Sequence, residues 1–201
     1  MSVTWTEDGA SATAEINGDA FSGGTATTKV WTVESGNGSW RRSGGIVQRH
    51  SVGGYLSAYP STATGATSGV FSEATKVTGS SNSSPAVLNS SNVAQGYITQ
   101  NRRLYRDDST IIGSSGSAPG DGSVMKLSRS GNDVVLLDDT AAYISVTDAT
   151  YGTNIPGIRG TDLSSADLDD ITLQGDELVI TTAGQLVDRV RLTTLVGGIL
   201  A

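Results

Sequence analysis

Chemistry in an acidic chain would first be sought in its carboxylates. Two carboxyl groups held roughly 5 to 5.5 Å apart across a glycosidic bond are the working pair of a retaining hydrolase. The five glutamates, Glu7, Glu15, Glu34, Glu73 and Glu177, are isolated from one another, and none opens a closely spaced acidic run. Hydrolysis on that plan is not expected. A lyase needs a Tyr or His base beside cationic neutralisers. His50 with Arg49, Tyr55 and Tyr59 has those types, although a lone His in a Ser/Gly-rich segment more commonly sits on a solvated surface. With one His and no Cys, sites built on two imidazoles or on thiolates are excluded. Asp107-Asp108, Asp138-Asp139 and the set Asp167, Asp169 and Asp170 offer hard oxygen ligands. Calcium, a hard cation that takes about 6 to 8 such ligands, is the metal they could hold. Metal-free turns are the competing reading, since Asp bonds to its own backbone there. No cofactor is expected beyond that possible calcium. Phosphate-binding glycine loops and the Gly-x-Ser-x-Gly elbow are absent.

Sugar recognition asks for different side chains: an aromatic face under the pyranose, ringed by hydrogen-bonding groups. Trp40, Tyr55, Tyr59 and Tyr105, with Arg102 and Arg103, are the candidate glycan-binding residues, and Tyr97 shares their chemistry. Three Trp, six Tyr and two Phe must also fill a core, so each aromatic competes between the two uses.

The elements that must position these groups are strands. The 201 residues include 26 Gly and only 36% hydrophobic residues, a composition that disfavours a helical bundle and fits an all-β, turn-rich chain. Thirteen basic against 20 acidic residues give a net charge of −7, which argues against nucleic acid and against an anionic membrane surface as partners. No stretch approaches the ~18 apolar residues of a membrane span, and the first residues lack the pattern of a secretion signal. Period-two runs recur at 12–16, 28–33, 45–49, 70–77, 96–100 and 103–106. They are clearest at 123–128, 133–138 and 143–148, with turns at Ser130-Gly131-Asn132 and Asp139-Thr140. Segments 35–45, 61–69 and 80–84 read as surface loops. The apolar stretch 185–201 fits a helix or a strand, with Thr193-Thr194 and Gly197-Gly198 favouring a strand that closes the sheet or docks on another subunit.

Residues 96–170 resemble the concanavalin A-like lectin/glucanase jelly rolls, and among them the laminin-G-like branch of phage and bacterial surface proteins. The likeness rests on Gly96-Tyr97-Ile98, on Arg103-Leu104-Tyr105-Arg106-Asp107, and on Ala118-Pro119-Gly120-Asp121-Gly122 leading into Val124–Ser128. It continues through Ser130-Gly131-Asn132 with Leu136-Leu137-Asp138, Ser145-Val146-Thr147-Asp148 with Tyr151 and Pro156-Gly157-Ile158, and Asp169-Asp170-Ile171. Asp139 stands where that hairpin has Gly. The resemblance implies a concanavalin A-like jelly-roll β-sandwich over 36–175. Residues 1–35 would form an N-terminal extension of docking or extra strands, and 176–201 an apolar C-terminal strand or tail.

The function expected on these grounds is a non-enzymatic virion structural protein of a phage, as capsid decoration, head fibre or tail part. Its partners would be other virion subunits in a homo-oligomer, its place the virion surface. The alternative is a glycan-binding adhesin for a host-surface polysaccharide, ahead of a polysaccharide hydrolase or lyase.

Overall fold

Strict alternation produces the clearest part of the sheet. In β13 (Val124–Ser130) Met125, Leu127 and Arg129 point inward, and in β14 (Asp133–Asp138) Val134 and Leu136 do the same. A side-chain period of two gives each strand one buried face. The computed structural model describes residues 2–7, 14–16, 31–34, 39–43, 46–50, 55–78, 83–100, 102–107, 109–139, 141–160 and 167–177. These residues form an all-β jelly-roll sandwich of two antiparallel sheets, with no helix among them.

The strands run in chain order from β1 (Ser2–Glu7), β2 (Ala14–Ile16), β3 (Trp31–Val33) and β4 (Ser39–Ser43) to β5 (Ile46–His50), β6 (Leu56–Pro60) and β7 (Ala63–Thr64). Then come β8 (Ser68–Thr78), β9 (Ser83–Asn89), β10 (Asn92–Gln100), β11 (Arg103–Arg106) and β12 (Thr110–Ser114). After β13 and β14, the series ends with β15 (Ala141–Thr147), β16 (Asn154–Gly160) and β17 (Asp167–Glu177). One sheet has ten strands in the order β15-β14-β13-β8-β17-β5-β4-β2, with β1 and β7 also paired to β17. The other has seven, in the order β12-β11-β10-β9-β16-β6-β3. Within residues 1–35, β1 pairs with β17, β2 with β4 and β3 with β6. At the other end, β17 carries Asp176 and Glu177, and the apolar stretch 178–201 lies outside the described residues.

Three segments that read as loops contain strands: β4 within 35–45, β7 and the start of β8 within 61–69, and the start of β9 within 80–84. The physical reason is clearest in β9. Its edges are paired with β10 and β16, and both of its faces are buried, Val87 in the inner core and Ala86 and Leu88 in the outer cluster, with Ser83 and Ser84 buried as well. Pro85 has no N–H for a ladder. The β9–β10 register accordingly ends at Ile98 opposite Ala86, and the amide of Thr99 donates to Ser84 Oγ at 3.3 Å.

The non-glycine residues in left-handed backbone are all aspartates among the described residues: Asp107 (φ 56°), Asp139 (φ 54°) and Asp170 (φ 48°). Asp tolerates that region better than most side chains. Asp139 thereby occupies the β14–β15 turn in place of Gly, and its Oδ1 accepts the Val124 amide at 3.0 Å. Asp170 sits in a register shift of β17 against β8. The shift resets the strand's phase so that Leu168, Ile171 and Leu173 are all buried.

Gly96 stands where β10 bulges against β9. A Cβ there would lie 2.6 Å from the Val87 carbonyl oxygen and 2.7 Å from Leu88 Cα, at a φ of +155°. Both obstacles are backbone and cannot swing aside. Gly96→Ala is expected to lower stability by about 2 kcal/mol or more in urea unfolding. Gly120→Ala, whose Cβ meets only Ser123 Oγ at 3.8 Å, should stay within about 0.5 kcal/mol of the parent. Equal midpoints for the parent and Gly96→Ala would contradict this account of the bulge.

Candidate functional site

Register decides which side chains share the outer face of the seven-stranded sheet. Ile98 is opposite Tyr105 and Gln100 opposite Arg103 in the β10–β11 pair, while Ile98 is opposite Ala86 and Ile155 opposite Leu88. These positions alternate with Val87, Tyr97 and Leu104, which face the inner core. Ala86, Leu88, Ile98 and Ile155 form a buried apolar cluster on the outer side, against which Tyr55, Tyr59, Val93 and Tyr105 pack. Three of the sequence candidates are thus brought to one face.

Next to Tyr105 this face opens into a cleft of about 490 Å³, lined by Gln100, Arg102, Arg103, Tyr105, Gly116, Ser117 and Ala118. Arg102 and Arg103 are exposed, and Arg103 Nη1 lies 3.5 Å from the Tyr105 hydroxyl. The far wall is the loop between β12 and β13. Its first residue donates from the Ser115 amide to the Arg102 carbonyl at 2.9 Å, and the Ser115 hydroxyl donates to the Ser117 carbonyl at 2.8 Å. Further along, buried Lys76 reaches from β8 to donate to the Pro119 carbonyl at 2.9 Å and to pair with Asp121 at 3.3 Å. The ten-stranded sheet therefore fixes a wall of a cleft on the other sheet.

Tyr55 and Tyr59 flank a second polar group on the same face. Arg159, 3% exposed, donates to Glu34 Oε2 at 3.1 Å, to the Ser57 hydroxyl, and to the Val93 carbonyl at 3.3 Å, with its guanidinium 5.2 Å from the Tyr55 ring centre. Burial, and secondarily the Glu34 charge, push the Tyr59 hydroxyl above its ordinary value. Sequence reasoning named neither Arg159 nor Ser57 nor Gln100, and it passed over Glu34 as an isolated carboxylate. The one signal for Arg159 was its place directly after Pro156-Gly157-Ile158. Gln100 could have been found as the hairpin partner of Arg103.

Two aromatic candidates lie elsewhere. Trp40 corrects the expectation of a sugar platform: it is 0% exposed, in the core cluster with Val47, Leu56, Met125 and Leu168, because β4 needs a bulky inward residue there. Tyr97 is likewise buried, edge-on to Tyr151 with ring centres 5.2 Å apart. Of the calcium candidates, Asp169 and Asp170 serve the β17 register shift, Asp170 donating its amide to Asp169 Oδ1 at 2.9 Å. Asp167 opens the same strand. Among the described residues no group of three or more His, Cys, Asp or Glu is placed to hold a metal ion. The side chain of His50 lies outside the described ones.

A separate polar network closes one end of the inner core. Tyr97 donates to Asp148 Oδ1 at 3.0 Å, Arg106 pairs with Asp148 Oδ2 at 2.9 Å, Tyr151 donates to Asp107, and buried Arg129 donates to Asn154 and to the Tyr151 carbonyl. Burial, helped by Asp148, pushes the Tyr97 hydroxyl up to about 12. Burial also works to raise the Asp148 carboxyl, but hydrogen bonds from Thr150 and Tyr97 and the Arg106 charge outweigh it and hold the group below its ordinary value.

Solved structures align with much of this chain. The carbohydrate binding module CBM66 from Bacillus subtilis aligns with a TM-score of 0.51 at 14% identity, over 75% of this chain and 95% of that one. The Emp47p carbohydrate recognition domain aligns at 0.46 with 11% identity, over 76% and 92%, and the VIP36 exoplasmic/lumenal domain at 0.45 with 11%, over 77% and 88%. No protein-family model and no curated protein matches the sequence. The likeness to CBM66 is one of fold.

The sign of the Asp148 contribution follows from its lowered value. Stability from this carboxylate is fully present above the unfolded value near pH 4 and is lost as pH falls through the folded one. Asp148→Asn should cost about 1–2 kcal/mol at pH 7 in denaturant unfolding, with the gap to the parent closing below about pH 4. A gap that stays constant down to pH 2 would show that the charge plays no part.

Proposed function

We propose that the chain is a non-enzymatic glycan-binding module whose site is the cleft beside Tyr105. The observation that carries this is the composition of the cleft: one half-buried aromatic ring, an amide and two guanidinium groups around a concavity of about 490 Å³. An apolar ring with a few placed hydrogen-bonding groups is the usual make-up of a sugar site. None of the lining residues is a carboxylate, so the cleft lacks the acid and nucleophile of a hydrolase. The likeness of fold to a carbohydrate binding module, CBM66, supports this reading.

A virion location, with other subunits as partners, stands as a proposal from composition and from residues 178–201. A multimer in light scattering that dissociates when those residues are removed would support it, and a monomer indifferent to the deletion would refute it.

Glycan-array screening followed by calorimetry on the best binder tests the main reading. Tyr105→Ala and Arg103→Ala should each weaken binding about tenfold or more, equivalent to about 1.4 kcal/mol. Phe71→Ala is the control, since Phe71 lies on the ten-stranded sheet beneath Lys126 Nζ, 3.6 Å from the ring centre. An array without a single bound glycan, or a Tyr105→Ala protein that binds as the parent does, would end the proposal.

A further inference from the structure

The cationic side chains of this protein divide sharply by partner. Lys76 pairs with Asp121, Arg106 with Asp148, Lys126 with Glu73 and Arg159 with Glu34. Arg129 is enclosed by the Gly131 and Tyr151 carbonyls and the Asn154 side-chain oxygen. Among the described cationic side chains, only Arg102 and Arg103 have neither a carboxylate nor an enclosing set of carbonyls, and both line the same cleft. That placement is not what charge balance alone would give. With 20 acidic residues against 13 basic ones, carboxylates are in excess, yet none lines the cleft.

We infer that the cleft takes an anionic sugar, one bearing a carboxylate or a sulfate ester, in preference to a neutral one. The inference rests on the glycan-binding reading and adds the charge of the ligand to it. Guanidinium is a planar fork whose paired N–H donors match an oxyanion, and charge-assisted bonds of this kind are about twice as strong as neutral ones. Contact with the Tyr105 hydroxyl at 3.5 Å holds the Arg103 fork beside the ring on which a pyranose would rest. Gln100, directly opposite Arg103 in the register, is left to bond a sugar hydroxyl. The Ser115 amide holds the Arg102 carbonyl at 2.9 Å, which fixes the backbone from which the second fork projects. The negative net charge does not cancel this local field, since at physiological salt interactions fade beyond about 8 Å. It does disfavour a polyanion as dense as duplex nucleic acid, whose charges recur every ~1.7 Å along the axis.

Two matched ligand pairs test the inference: galacturonate oligomers against the same oligomers after carboxyl reduction, and dextran sulfate against dextran, each measured by calorimetry on the full chain. The expected result is at least tenfold tighter binding of the charged member of one pair, weakening as NaCl is raised from 50 to 500 mM. The pair that shows the preference tells carboxylate from sulfate. Arg102→Gln/Arg103→Gln should abolish the preference, bringing the ratio of affinities within the pair to about one, with the thermal midpoint unchanged. Equal binding of charged and neutral members, a neutral glycan as the best array ligand, or a preference that survives the double substitution would overturn the inference and leave the glycan-binding reading standing. Failure of every glycan, on the array and in both pairs, would overturn both.

Discussion

A buried guanidinium governs how the seven-stranded sheet closes its second face. Burying a charge is costly unless partners surround it, so a buried Arg dictates what must be near it. Arg159 gathers three parts of the chain: the carboxylate of Glu34 beyond β3, the hydroxyl of Ser57 in β6 and the carbonyl of Val93 in the β10 bulge. Glu34 in turn accepts the Ser57 amide at 3.1 Å, and Ser57 donates its hydroxyl to Val93 at 2.8 Å. This set draws the bulge across the sheet, which is how Ala86 and Leu88 come to be fully buried on the side away from the main core. The cover ends toward β11, and there the cleft begins.

Cationic groups play a comparable part at the two ends of the inner core. Arg129 and Lys76 both point inward, at positions that would suit aliphatic side chains in mid-strand; Arg129 donates to the Gly131 and Tyr151 carbonyls and to Asn154 at the start of β16, and Lys76 donates to the Pro119 carbonyl and pairs with Asp121. Arg129 fixes the segment around Tyr151 and Asn154. Lys76 fixes the loop whose earlier residues wall the cleft. Such groups add little net stability over apolar replacements, and their effect is to specify which loop conformation closes the end. The cleft is therefore shaped from two directions: by Arg159 through the bulge on its own sheet, and by Lys76 through a loop tied to the opposite sheet.

Legibility in the sequence followed the number of buried faces. Strands β13 and β14 bury one face each, so alternation showed, and the hairpin turns at Gly131 and Asp139 could be placed. Strands β9 and β16 are covered on both sides, which removes alternation, and in β9 the Ser83-Ser84-Pro85 opening imitates a loop. At the site, Tyr55, Tyr59, Arg102, Arg103 and Tyr105 were identifiable by residue type, and the structure sets them on one face. What sequence could not supply is the pairing of Glu34 with Arg159, 125 residues apart, because nothing local distinguishes either one. Trp40 shows the converse: a residue type suited to stacking on a sugar is equally suited to filling a sandwich, and only the inward phase of β4 decides between them.

A hydrolase would need two carboxyl groups facing one space with separated affinities for the proton. On the outer face of the seven-stranded sheet, Glu34 is committed to Arg159 and the Ser57 amide, and the carboxylates of Asp107 and Asp148 are turned to Tyr151, Tyr97 and Arg106 at the end of the inner core. Freeing any of them would strand a buried cation or hydroxyl. The groups that line the cleft are amide, guanidinium and hydroxyl donors and an aromatic ring, and the proposed binding rests on these. Preorganisation serves that task directly, since a cleft whose walls are already fixed loses little entropy when it is filled.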